Sequence, residues 1–104
     1  MITIIVGIGK DKNGLAIEIS DINADILCHK VLARHFAGWT LIQSEGGWTN
    51  PADGKLNVER GRTVLLARGN NDFAAFNVAQ ELRDTFSQSC VAIDWGLGGP
   101  LEFV

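Results

Sequence analysis

The sequence predicts an α+β fold, a ferredoxin-like βαββαβ sandwich with two helices on one face of a mainly antiparallel sheet. Three observations predict it. Two stretches carry apolar residues at helical spacing, and each lies between stretches with strand character. Their order is that of the split β-α-β-β-α-β motif. In that layout the first and third strands are central, and these are the two most apolar strand candidates in the chain.

Ile2 to Ile8 alternates, with Ile2, Ile4, Val6 and Ile8 on one side and Thr3, Ile5 and Gly7 on the other. Asn13-Gly14 is a turn signal, and Leu15 to Ile19 alternates again. An extra strand near 15–19 and an extended loop into the first helix are both open readings. Ala24, Leu27, Cys28, Val31, Leu32 and His35 recur at helical spacing behind the capping residues Ser20, Asp21 or Asn23. The expected helix runs from about 22 to 37, with Gly38 as a left-handed stop. Trp39 to Ser44 reads as the second strand, broken by Gly46-Gly47 and a long turn through Asn50-Pro51 and Asp53-Gly54. Lys55 to Glu59 reads as the start of a returning arm. Arg62 to Arg68 holds the uninterrupted run Thr-Val-Leu-Leu-Ala, suited to a central strand. Asn70-Asn71-Asp72 supplies a cap for a helix of about 72–87, with Phe73, Phe76, Ala79, Leu82 and Phe86 on its apolar face. Val91 to Trp95 is the last expected strand, and Gly96 to Pro100 ends regular structure before a short apolar tail.

The 104 residues suit one domain, 1–104, large enough to fold without a disulfide or metal. Hydrophobic residues make up 46% and charged residues 20%, a globular balance. The net charge of −3 leaves no basic footprint for phosphates, which argues against nucleic acid as a partner. The apolar N-terminus has no basic lead or cleavage site, and no run reaches a membrane-spanning length. The expected location is cytoplasmic, with no membrane partner. Free thiols at Cys28 and Cys90 fit that compartment, a disulfide between them being the lesser alternative.

Gly38-Trp-Thr40, Gly47-Trp48, Glu59-Arg60, Val64-Leu-Leu66 and Phe86-x-Gln88 ahead of Val91 form an ordered set over about residues 36–93. In these pieces the chain resembles a bacterial domain family of unknown function, found mostly in small secreted or lipid-anchored proteins. The resemblance implies a ferredoxin-like α+β fold and no particular activity. The chain departs from that family in showing no export signal.

No motif specifies a chemistry, so no catalytic residue, metal or cofactor is expected. Cys28, His29 and His35 lack the close ligand pairs of a zinc site; Cys28 reads as core and His29 as solvent-exposed. Gly7-Ile-Gly9 lacks the third glycine of a dinucleotide fingerprint, and Gly96 to Gly99 has no helix after it. Two surfaces remain. Glu45, Trp48, Glu59, Arg60 and Arg62 gather near the far half of a hairpin pairing 39–48 with 55–68. That group fits a polar ligand or a partner protein, with plain cross-strand ion pairing as the simpler account. The helix-free sheet face, with Ile5, Leu65, Ala67, Ala92 and Asp94, is small-sided and fairly apolar, as a self-association surface would be.

The leading expectation is therefore a non-enzymatic binding module, a homodimer through the open face, with a further protein partner as an option. One alternative is a small enzyme of the dimeric α+β barrel type, with Asp94 or His35 as its acid–base group. Another is a mobile-element inhibitor of a host protein acting through the 45–62 hairpin.

Overall fold

A computed structural model describes residues 1–69 and 72–104. Its elements are β1 (Ile2–Gly7), α1 (Asp21–Ala33), β2 (Thr40–Thr49), β3 (Leu56–Leu66), α2 (Asp72–Thr85), β4 (Ala92–Asp94) and β5 (Glu102–Phe103). The sheet order is β2-β3-β1-β4-β5, with every pairing antiparallel. The first four strands reproduce the ferredoxin-like order, with β1 and β3 central.

Alternation decides which face is covered. Ile2, Ile4 and Val6 of β1, Val64 and Leu66 of β3 and Ile93 of β4 are buried on one face. Ala24, Cys28, Val31 and Leu32 of α1 pack there with Ala75, Val78, Ala79 and Leu82 of α2. Each large aliphatic side chain buried in this layer contributes about 1.5–3 kcal/mol. Burial pushes the Cys28 thiol up to about 11, so it remains protonated and packs as a small apolar group. Among the described residues both cysteines are free. No described helix is long and apolar enough to cross a membrane.

Four expectations change. Residues 15–19 form no strand; only an isolated bridge joins Lys10 to Ala16. The fifth strand is the C-terminal tail instead. Gly96 and Gly98 take positive φ and turn the chain back, so Phe103 pairs with Ala92 and Glu102 with Ile93. Helix α1 ends at Ala33, earlier than expected, in a tight turn where the Arg34 N–H donates to Val31 O, and Gly38 is not left-handed. Gly46-Gly47 does not interrupt β2, because the ladder continues to Thr49 opposite Leu56. The turn falls at 50–55, where the Asn50 and Asp53 carboxamide and carboxylate oxygens accept from Ala52 and Lys55 N–H groups. In α2 the buried stripe is Ala75, Val78, Ala79, Leu82 and then Phe86; Phe73 is 84% exposed on the first turn. The expected cap residues Asn70 and Asn71 lie outside the described residues.

Under the sheet, α1 is tied to β3 by charge. The Arg62 guanidinium is buried on the core face of β3. Its Nε donates to Asp25 Oδ1 at 2.6 Å, and its Nη2 donates to Asp21 Oδ1 at 2.8 Å. Arg60 donates to the same Asp21 oxygen at 3.0 Å and to Ile19 O at 3.0 Å. The Ser20 hydroxyl caps α1 by accepting from the Asn23 N–H. The Arg62 hydrogen bond, with the charges of Arg62 and Arg60, holds the Asp21 carboxyl below its ordinary value of 3.8. Between the helices, hydrogen bonds from Arg34 and His35 hold Glu81 below 4.5. Both folded values are depressed, so this stabilisation is present in full above the unfolded carboxylate range and is lost as pH falls through it. Urea midpoints are expected to stay level from neutral pH to about pH 5 and to drop below it, less steeply in Asp21→Asn. A midpoint that stays level to about pH 3 would show that these pairs do not stabilise the fold.

Candidate functional site

The helix-free face carries the site. Strand register puts residues on this face in rows running across the strands. One row is Thr40, Leu65, Thr3 and Asp94; the next is Ile42, Thr63, Ile5, Ala92 and Phe103. The third is Ser44, Gly61 and Gly7, with almost no side-chain volume. The fourth holds Gly46 opposite Glu59. A row of small residues between two larger ones leaves a trough. Flanking same-face rows are four residues apart along a strand, about 13 Å at 3.3 Å per residue.

That trough is a groove of about 510 Å³, within the range of small-molecule sites. Its floor is the Ser44, Gly61 and Gly7 row. Ile5, Thr63, Ala92 and Phe103 make one wall, and Glu59 and Trp48 stand at the other. Cys90 also opens onto it. Trp48 is 56% exposed, an indole with an open ring beside the groove.

Glu59 is the groove's acidic side chain with a defined orientation. The chain leaving β1 continues the ladder, the Ile8 N–H donating to Arg60 O at 2.9 Å, and brings the next two amides over Glu59. Glu59 Oε1 accepts from the Gly9 N–H at 3.0 Å and from the Lys10 N–H at 2.8 Å. The site is thus a mostly apolar trough with one anchored carboxylate and two aromatic rings, Trp48 and Phe103, which suits a flat, partly apolar molecule carrying positive charge. Among the described residues no group of three or more His, Cys, Asp or Glu stands ready for a metal ion.

The chain is similar in fold to a phage SAM lyase. The likeness is to that enzyme's structure in complex with S-methyl-5'-thioadenosine, with a TM-score of 0.64 and 17% identity over 99% of this chain and 86% of that one. It extends to the enzyme's apo state, with a TM-score of 0.63 and 18% identity over the same shares. No protein-family model matches the sequence, and no curated protein does. At such identity the likeness shows the fold. It also corrects the expectation of a non-enzymatic binding module: end to end, the architecture is one that an enzyme of this size uses.

The structure divides both residue groups picked out in the sequence. The hairpin group is split by strand alternation. Trp48 and Glu59 fall in the open-face rows, whereas Arg60, Arg62 and Glu45 belong to the opposite rows, where Arg60 and Arg62 bind Asp21. Within the open-face group, Ile5 and Ala92 line the groove, while Leu65 and Ala67 border a separate recess near Trp39 and Met1. Asp94 shares the face but spends Oδ1 on the Gly96 N–H at 2.9 Å, within its own turn. His35 lies away from the groove, bonded to Glu81 at 2.8 Å on the helix side. Neither expected acid–base residue is at the groove; Glu59 is. Counting back by twos from Leu65 and Thr63 through Gly61 reaches Glu59, so the signal was in the alternation. The sequence places Glu59 in the hairpin binding group, not as an acid–base residue, without separating the two faces.

Proposed function

We propose that this chain is a small enzyme that binds a sulfonium nucleoside of the S-adenosylmethionine type in the open-face groove and breaks its carbon–sulfur bond, with Glu59 as the acting carboxylate. The observation that carries the reading is the Glu59 carboxylate, anchored by two backbone N–H groups at the wall of a nucleoside-sized trough. The lyase activity of the structural neighbours supports it.

The chemistry constrains what Glu59 does. When the carbon–sulfur bond breaks, both its electrons pass to sulfur and the sulfonium becomes a neutral thioether, S-methyl-5'-thioadenosine. A lyase uses no water. The carbon left behind is therefore satisfied from within the amino-acid arm, by that arm's own carboxylate oxygen or by loss of a neighbouring proton. A carboxylate held against the sulfur would stabilise the charged ground state more than a transition state that is losing that charge. Glu59 accelerates the reaction only if it acts on the arm, accepting a proton or a hydrogen bond from it. Trp48 offers the flat surface for the purine.

Incubating the protein with S-adenosylmethionine and following products by mass spectrometry tests this. The expected result is S-methyl-5'-thioadenosine formed in proportion to enzyme, with no requirement for a second substrate. Neither turnover nor calorimetric binding of S-adenosylmethionine or S-methyl-5'-thioadenosine would sink the proposal.

A further inference from the structure

Gly7-Ile-Gly9 is too short for a phosphate fingerprint, yet the structure gives its two glycines a shared neighbour. A Cβ built on Gly7 would lie 2.8 Å from Glu59 Oε1, and one on Gly9 would lie 2.7 Å from Glu59 Cγ. Neither glycine has positive φ, so backbone conformation does not require glycine at either position. At Gly7 the side-chain volume is missing because Glu59 occupies it; at Gly9 Glu59 is the nearest neighbour, with the Arg60 backbone nitrogen next at 3.3 Å. The same segment supplies the Gly9 and Lys10 N–H groups, and both converge on Oε1. Among the described residues no hydrogen bond reaches Oε2.

We infer that the Gly7–Lys10 segment is a seat for the Glu59 carboxylate, fixing one oxygen so that the other is presented to the groove ligand. The inference rests on the reading of Glu59 as the acting group and adds the residues that position it. Adjacent backbone N–H groups form a natural anion site, and here the anion is the protein's own. A carboxylate with one oxygen pinned has a set plane and little freedom left to lose when the substrate arrives. Gly7 and Gly9 are positioning residues: they act through Glu59.

The test uses Gly7→Ala, Gly9→Ala and Glu59→Ala, with amide hydrogen exchange at Gly9 and Lys10 read alongside kinetics on S-adenosylmethionine. Each glycine variant is expected to speed Lys10 exchange several-fold, toward the rate of Glu59→Ala, as the carboxylate leaves its seat. Turnover in each should fall about tenfold or more, with KM changed by less than about threefold. Adding Gly7→Ala to Glu59→Ala should change neither exchange nor melting temperature, since the colliding carboxylate is gone. If that double variant melts well below Glu59→Ala, the backbone itself needs the glycine and the inference is overturned. Unchanged Lys10 exchange in Glu59→Ala overturns it too, as does full turnover in a glycine variant whose exchange has quickened. A wild-type protein that leaves S-adenosylmethionine intact overturns the lyase reading alone; the exchange results then decide the seat by themselves.

Discussion

Glu59→Gln is expected to lower turnover of S-adenosylmethionine by at least about 100-fold while leaving KM within a few-fold of wild type. The substitution is nearly isosteric. A glutamine oxygen can still accept from the Gly9 and Lys10 N–H groups, now at 3.0 and 2.8 Å from Glu59 Oε1, so the loop and strand stay in place. What disappears is the negative charge and the ability to take a proton. If Glu59 merely neutralised the sulfonium, its loss would weaken binding of a charge that fades in the transition state; KM would rise and turnover would hold or improve. Steady-state kinetics, with far-UV circular dichroism as the folding control, separate the two. Unchanged turnover with a raised KM would remove Glu59 from the chemistry and leave it as a binding group.

Arg62→Ala is expected to destabilise the fold by about 3 kcal/mol, the largest stability loss among the polar positions. Arg62 is 1% exposed, and three directions of hydrogen bonding converge on it: Asp21, Asp25 and the Gly61 carbonyl at 2.8 Å. Truncation empties the space of its stem and leaves Asp21 with Arg60 alone and Asp25 with only a long bond from Gln43 at 3.4 Å. Those carboxylates are partly open to solvent, and water can replace some of what they lose; that holds the cost below the upper range for a buried pair. For a chain of this size, 1 kcal/mol corresponds to about 4–8 °C, so the melting temperature should fall by roughly 12–24 °C. Arg62→Met keeps most of the stem and should cost about half as much. A loss under about 0.5 kcal/mol in Arg62→Ala, by urea denaturation, would show that the α1–β3 charge cluster is incidental.

Much of the architecture was legible because it depends on local periodicity. Ile2, Ile4 and Val6 declare a buried strand face by alternation alone. Ala24, Cys28, Val31 and Leu32 declare a helix stripe. The apolar ranking of 2–8 and 62–68 puts those strands in the centre, and the register agrees. Where the reading went astray, a long-range partner had overruled a local preference. Gly46-Gly47 looks like a break until β3 pairs with it. The tail after Pro100 looks irregular until Gly96 and Gly98 fold it back against β4. Phe73 stands three residues before Phe76, but nine residues at 100° each set it half a turn from Leu82, so burying Leu82 turns it to solvent.

By itself, then, the sequence determined the βαββαβ order, the two helix-bearing segments and a sheet with one covered face, since each follows from spacing along the chain. Only the tertiary structure decided the site. Glu59, Gly7, Gly9, Gly61 and Trp48 span up to 54 positions, from Gly7 to Gly61, and none belongs to a motif that specifies a chemistry. Strand register sets them on one face, and the chain leaving β1 carries the Gly9 and Lys10 amides onto the Glu59 carboxylate. A hydrogen bond between residues 50 positions apart has no periodicity to announce it; it exists only because two antiparallel strands fix where the chain between them must pass.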